Sequence, residues 1–395
     1  MTEKIKSSRI HSIDILRGLV MVIMALDHVR DYFHLGAIVS DPLDLETTTP
    51  VLFLTRFVTH FCAPVFIFLT GTSASLYGQN RSKKQLSKFL LTRGLWLIFV
   101  EIVIMNFLWC FDPSYSFINL QVIWAIGLSM IFLSFLIYLP FSVLIGLSLV
   151  IVFGHNLLDG ITVQGYSFSS ILWYIFHQSQ FLPIGEQRVV AFYYPALPWI
   201  AVMSLGYCFG TMYHKGFDQV KRKKNLLKLG FSSIVLFLLI RYINVYGDMV
   251  PWSQQKDLLF TLLSFINVSK YPPSLLYILI TIGPTFLVLY FLEGVQSKVT
   301  DFLLVFGRVP FFYYLMHVFF IHAAALLTLA ALGNDWRLMI FDSASFATNK
   351  MANYGYSLGI VYLVWVLIVA VLYPFCKKYM QYKLGHPEKW WLSYL

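Results

Sequence analysis

Apolar residues run along this chain in long stretches, separated by short segments that carry most of its charge. Stretches of about 17–25 mainly apolar residues are long enough to cross a bilayer. On that basis ten spans are predicted, at 13–34, 51–78, 89–109, 118–138, 141–157, 194–213, 229–247, 274–293, 309–331 and 356–376. Segment 166–193 is aromatic and apolar in places, and counting it would make eleven. A bilayer offers no water to backbone polar groups, so such spans are expected to be helices. The predicted fold is all-α: a polytopic membrane helix bundle forming a single domain over 1–395, with short tails at about 1–11 and 377–395.

Composition points the same way. Hydrophobic residues make up 58% of the 395 positions and charged residues 12%, too little polar surface for a soluble core of this length. The first span contains Asp14 and Arg17 and lacks a small-residue cleavage site, so it reads as a span and not as a cleavable signal peptide. The cysteines (Cys62, Cys110, Cys208, Cys376) are scattered with no CxxC, which predicts packing residues and neither disulfides nor a metal site.

The basic residues set an orientation. Lys4, Lys6 and Arg9 precede the first span, and Arg81, Lys83, Lys84 and Lys88 follow the second. Lys221, Arg222, Lys223, Lys224 and Lys228 follow the sixth, and Lys377, Lys378, Lys383 and Lys389 follow the last. With ten spans all four clusters share one side, which the positive-inside rule makes cytoplasmic, together with both termini. The net charge of +10 thus reflects topology in a cell (inner) membrane and gives no reason to expect nucleic-acid binding. The run Lys221–Lys224 is expected in a solvated inner loop facing anionic lipid headgroups.

Polar residues inside the spans carry the chemistry, because an ionisable group buried in a bilayer is costly. His28 lies eleven residues after Arg17, which brings it back to within about 20° of the same helix face and about 16 Å further along. His28, His60, Glu101 and His322 all fall at roughly 9–14 Å below the outer surface of a ~30 Å core. Asp27 and Asp31 flank His28, and Asp31 shares its face, placed to orient the imidazole as a carboxylate does for a general base. Arg17, Arg93 and Arg308 lie near the cytoplasmic ends of their spans, where guanidinium groups suit an anionic ligand.

Plainer readings stand beside these. His317 and His322 are some 140° apart on a helix and could simply bond to neighbouring helices. Glu101 could neutralise an arginine across helices, and Arg56 and Arg241 lie close enough to the outer surface to snorkel. The long outer loops 158–193 and 248–273 hold Trp173, Tyr193, Tyr194, Trp252 and Tyr271, either as interfacial aromatics or as stacking platforms for a sugar ring.

Four segments resemble one family. They are Arg9–Phe33 with Asp14, Arg17, Gly18, Asp27 and His28; His60–Ala74 with Pro64 and Gly71; Tyr194–Tyr207 with Pro198, Trp199 and Gly206; and Gly307–His317 with Arg308 and Pro310. In order, they are similar to the heparan-α-glucosaminide N-acetyltransferase catalytic-domain family, in its bacterial branch, within the wider transmembrane acyltransferase superfamily. The resemblance implies that an acetyl group from cytosolic acetyl-CoA is delivered to an amino sugar or glycan on the far side, with a histidine at the catalytic centre. One departure accompanies it: the family's lysosomal enzyme has an asparagine where His28 stands, and its catalytic histidine lies in the loop just beyond. His34 is the nearest residue here, so His28, His34 and His60 compete for the role.

The expected machinery follows. Arg17, Arg93 and Arg308 hold the CoA phosphates, with Asp14 beside Arg17. His28, oriented by Asp27 or Asp31, acts as general base or carries the acetyl group itself. Glu101, His317 and His322 belong to the substrate side, with His60 or His322 facing the oxyanion. No metal is expected, and a homodimer fits the resemblance. The alternative of another class is a proton-coupled membrane transporter using intramembrane His, Asp and Glu, which would call for helices broken at mid-membrane, for instance at Pro64, Pro198 or Pro310. A catalytically inactive sensor of the same fold is the third reading.

Overall fold

The computed structural model describes residues 10–37, 40–345 and 354–393. Lys4, Lys6 and Arg9, part of the basic pattern, lie outside the described residues. The chain runs α1 (His11–Phe33), α2 (Pro50–Thr59), α3 (Cys62–Gly78), α4 (Lys83–Phe99), a π-helical stretch Val100–Met105, and α5 (Asn106–Cys110). It continues through β1 (Phe117–Leu120), α6 (Val122–Leu136), α7 (Phe141–Gly154), α8 (Phe168–Phe176), β2 (Gln180–Ile184) and β3 (Arg188–Phe192). The rest is α9 (Ala196–Gly210), α10 (Gln219–Ile243), α11 (Leu258–Ile266), α12 (Leu275–Leu292), α13 (Lys298–Arg308), α14 (Pro310–Ala331) and α15 (Leu358–Gly385).

The helical bundle is as expected, and each of the ten predicted spans falls on a helical segment. Among the described residues, eight helical segments are long and apolar enough to cross a membrane. The other two are α1, which carries five charged residues along its length, and α6, which is 15 residues long. Two boundaries differ from expectation. The stretch 118–138 opens on β1 before α6 begins. The segment 166–193 is no span: α8 has 9 residues, about 14 Å against a ~30 Å core, and a β2–β3 hairpin follows it. The small sheet runs β1-β3-β2, with β1 parallel to β3 from Phe117↔Val189 to Leu120↔Phe192.

Local chemistry explains the helix starts. Ser82 and Gln85 form a reciprocal capping box ahead of α4. Pro198 and Pro310 sit in the first turns of α9 and α14, where no intrahelical N–H is lost. Pro64 differs: the span Pro50–Gly78 is interrupted at His60–Phe61, and the His60 carbonyl, which Pro64 cannot serve, accepts from the Tyr277 hydroxyl at 2.8 Å. The run Lys221–Lys224 is the opening of α10, capped by Asp218, with Arg222 paired to Glu293 at 2.5 Å; it is helix and not the expected solvated loop.

Despite its five charged residues, α1 is largely enclosed. It packs on α2, α3, α12, α13, α14 and α15. Two of its contacts are backbone-close. A Cβ on Gly18 would stand 1.9 Å from the Leu303 carbonyl oxygen, and one on Gly307 1.8 Å from that of Asp14. The α3–α9 crossing repeats the device with Gly71 against Met203 and Gly206 against Phe68. Small residues let membrane helices approach this closely.

Candidate active site

Two cavities meet inside the bundle. One, of about 340 Å³, is lined by Asp27, His28, Asp31, Arg56, Trp109, Tyr193, Tyr194, Lys270 and Tyr271 among others. The second, of about 470 Å³, is lined by Arg17, Ser73, Tyr77, Arg93 and Lys383 with apolar walls from Met21, Leu97, Ile126, Met130 and Phe311. Both sizes fall in the usual range for small-molecule sites. Met24, Phe66, Val122 and Tyr314 line both, so they form the partition between the two.

The histidine cavity is built on α1. His28 Nδ1 lies 2.7 Å from His317 Nε2 of α14, and His317 Nδ1 lies 2.9 Å from the Tyr313 carbonyl oxygen. The two imidazoles are nearly parallel, at 13°, while Trp109 meets His28 edge-on with ring centroids 4.7 Å apart. The orienting partner of His28 is therefore His317. The expected carboxylates are occupied elsewhere: Arg30 donates to Asp27 at 3.1 Å and to Asp31 at 2.6 Å, and Arg56 donates to the other oxygen of Asp27.

Arg56 and Arg241 both find partners inside the protein, which corrects the snorkelling expectation for each. Arg56 turns inward to Asp27, and Arg241 donates to four carbonyl oxygens, those of Phe265, Val250, Ser264 and Asn267. At the loop side of the cavity, the Tyr271 hydroxyl stands 3.5 Å from that of Tyr194. Burial pushes the Tyr271 phenol up, but Lys270 and Arg56 outweigh it and hold the phenol below its ordinary range.

In the second cavity Arg17 is held on three sides, by Asp14 at 3.0 Å, the Gly307 carbonyl at 3.2 Å and Ser73 Oγ at 2.8 Å. Arg93 joins it on the lining, and Arg308 does not. The remaining expectations part company with the site. His60 lies off both cavity linings, buried with neither ring nitrogen hydrogen-bonded among the described residues. His34 caps the end of α1 and bridges to Tyr356. Among the described residues Glu101 meets no arginine; its carboxylate accepts from the backbone N–H of Trp124 at 3.0 Å and of Gln121 at 3.4 Å, capping α6. Both nitrogens of His322 face carbonyl oxygens, Leu108 at 2.9 Å and Met339 at 2.6 Å, which ties α14 to its neighbours and leaves no nitrogen for an oxyanion.

Sequence reasoning did not single out Lys270, Arg30, Trp109, Tyr314 or Ser73, and it read Lys383 only as a topology marker. Arg30 was within reach, since charges spaced i, i+3 on a helix meet. The others come from distant segments with no shared pattern. Among the described residues no group of three or more His, Cys, Asp or Glu side chains could hold a metal ion.

A bundle of membrane-crossing helices around a buried, histidine-bearing cavity defines the class as a multi-pass membrane protein with an enzyme-like site. The family model described as heparan-alpha-glucosaminide N-acetyltransferase, catalytic, matches residues 9–241, more than half of the chain, and the chain belongs to that membrane acetyltransferase family. No curated protein matches it.

Proposed function

We propose that the chain is an acetyl-CoA-dependent acyltransferase of the cell membrane, transferring acetyl from the cytosolic side to an amino sugar or glycan on the other. The observation that carries this reading is the meeting of a cation-lined cavity and a histidine-lined cavity at Met24, Phe66, Val122 and Tyr314. Arg17 and Arg93 suit the phosphates of CoA by bidentate pairing, and Lys383 suits them as a point charge. The apolar walls suit the narrow pantetheine arm, which would bring the thioester to the partition. The same orientation places the basic clusters and both termini in the cytoplasm.

On the far side Tyr193, Tyr194 and Tyr271 present rings to a sugar, and His28 stands between the two substrates. His28 takes the proton from the acceptor nitrogen or oxygen as that atom attacks the thioester carbonyl. The C–S bond breaks, and the same proton returns to the departing CoA thiolate, so protons balance within one turnover. We assign the oxyanion donor to Tyr314, the hydroxyl-bearing residue common to both cavities.

The test uses the full chain purified in detergent with acetyl-radiolabelled acetyl-CoA, with and without glucosamine. Label is expected in the product and to fall at least ~100-fold with His28→Ala, the scale of a lost general base. Label retained on the wild-type protein and lost in His28→Ala would assign His28 as an acetyl carrier. Failure to bind acetyl-CoA would overturn the reading.

A further inference from the structure

We infer that His317 is the positioning residue of the reaction: it sets the tautomer of His28, so that Nε2 is the bare, basic nitrogen. The inference rests on the acyltransferase reading for its role, but its geometry stands without it. A backbone carbonyl only accepts, so the Tyr313 oxygen at 2.9 Å requires a proton on His317 Nδ1. A neutral His317 then has a bare Nε2. That nitrogen lies 2.7 Å from His28 Nδ1, so Nδ1 of His28 must carry the proton that fills the contact. His28 Nε2 is left without one, on a residue that lines the histidine cavity.

The chain Tyr313 C=O, His317, His28 thus does the orienting that a carboxylate does in many hydrolytic triads. Three features hold it rigid. His317 is fully buried, its ring lies parallel to Tyr313 at 8° and 5.0 Å, and donor and acceptor of its outer bond are only four residues apart on one helix. The carboxylates nearest in sequence cannot take over, because Asp27 and Asp31 are bound to Arg30 and Arg56.

When His28 Nε2 accepts the proton of the attacking acceptor, the Nδ1 proton can shift across the 2.7 Å contact to His317 Nε2. The positive charge is then shared by two rings, with His317 donating from both nitrogens. As the CoA thiolate takes its proton from His28 Nε2–H, the shift reverses and the resting tautomers return. No proton is gained or lost by the pair over the cycle.

The experiment is nitrogen NMR on the full chain labelled with ¹⁵N-histidine in detergent, with His28 signals identified by their loss in His28→Asn. The expected result is a protonated Nδ1 and a bare Nε2 on His28. Two variants accompany it. His317→Phe keeps the flat ring and removes the acceptor; it should mix the His28 tautomers and lower kcat about 100-fold with KM for acetyl-CoA within about two-fold. His317→Gln places an amide oxygen near the Nε2 position; it should restore the tautomer and most of kcat. A bare Nδ1 on wild-type His28, or wild-type kcat in His317→Phe, overturns the inference. A correct tautomer in a protein that transfers no acetyl group supports the chain of bonds and defeats the acyltransferase reading instead. Folding of each variant is read from the remaining histidine signals, and His317→Gln decides the matter if His317→Phe is unfolded.

Discussion

At the scale of single residues, the charges of α1 are worth more to structure than their spacing indicated. Asp27 bridges the buried guanidinium of Arg30 and the partly buried one of Arg56; removing it takes the carboxylate from Arg56 and leaves Arg30 with Asp31 alone. Asp27→Asn should therefore lower stability by about 3–5 kcal/mol, the cost of breaking a buried pair. The apolar double replacement Asp27→Leu/Arg56→Met should recover a large part of that loss, since desolvation of the charges disappears with them. Thermal unfolding in detergent measures both, and a neutral Asp27→Asn would show the cluster to be hydrated. Glu101 teaches the same lesson from the other direction. Its depth in a span marked it for chemistry, but it pairs with backbone N–H groups at the start of α6, a role no side-chain pattern announces.

At the scale of elements, the crossing of α1 and α13 couples packing to binding. Gly307 lets the two backbones touch, and its carbonyl accepts from Arg17 in the cation-lined cavity. Gly307→Ala must push the helices apart, with an expected loss of about 1–3 kcal/mol, as for overpacked cores. Weaker acetyl-CoA binding should accompany it, measured by titration. Gly146→Ala on α7 is the control: a Cβ there meets nothing within 4 Å, so replacing glycine should leave stability unchanged or raise it by up to about 1 kcal/mol. Equal effects at both positions would mean that helix propensity and not close approach governs the crossing. The sequence showed these glycines only as members of a family-like segment; which helix each one meets is a tertiary fact.

At the scale of the whole molecule, the two cavities open the enzyme to opposite faces of the membrane in the proposed arrangement. Single cysteines at Lys270 and Lys383, in a chain from which Cys62, Cys110, Cys208 and Cys376 have been removed, should react with a membrane-impermeant maleimide from opposite sides of sealed vesicles. Labelling of both from one side would contradict a transfer across the bilayer. In the proposed transfer the acetyl group would pass Met24, Phe66, Val122 and Tyr314, which line both cavities.

The chain by itself determined the helical membrane fold, the positions of ten helical segments and the importance of α1, because hydrophobic runs and buried charge are local properties of sequence. It also pointed to His28, Arg17 and Arg93 as site residues, through depth and face alone. The tertiary structure decided which partners those residues have. His317 sits 289 positions from His28, Arg56 reaches Asp27 from another helix, and Lys383 and Lys270 arrive from distant segments. The reason is physical: periodicity along one helix fixes which face a side chain occupies, whereas the identity of the facing atom depends on how helices pack, and packing is settled by close contacts such as Gly18 against Leu303 that no single segment contains.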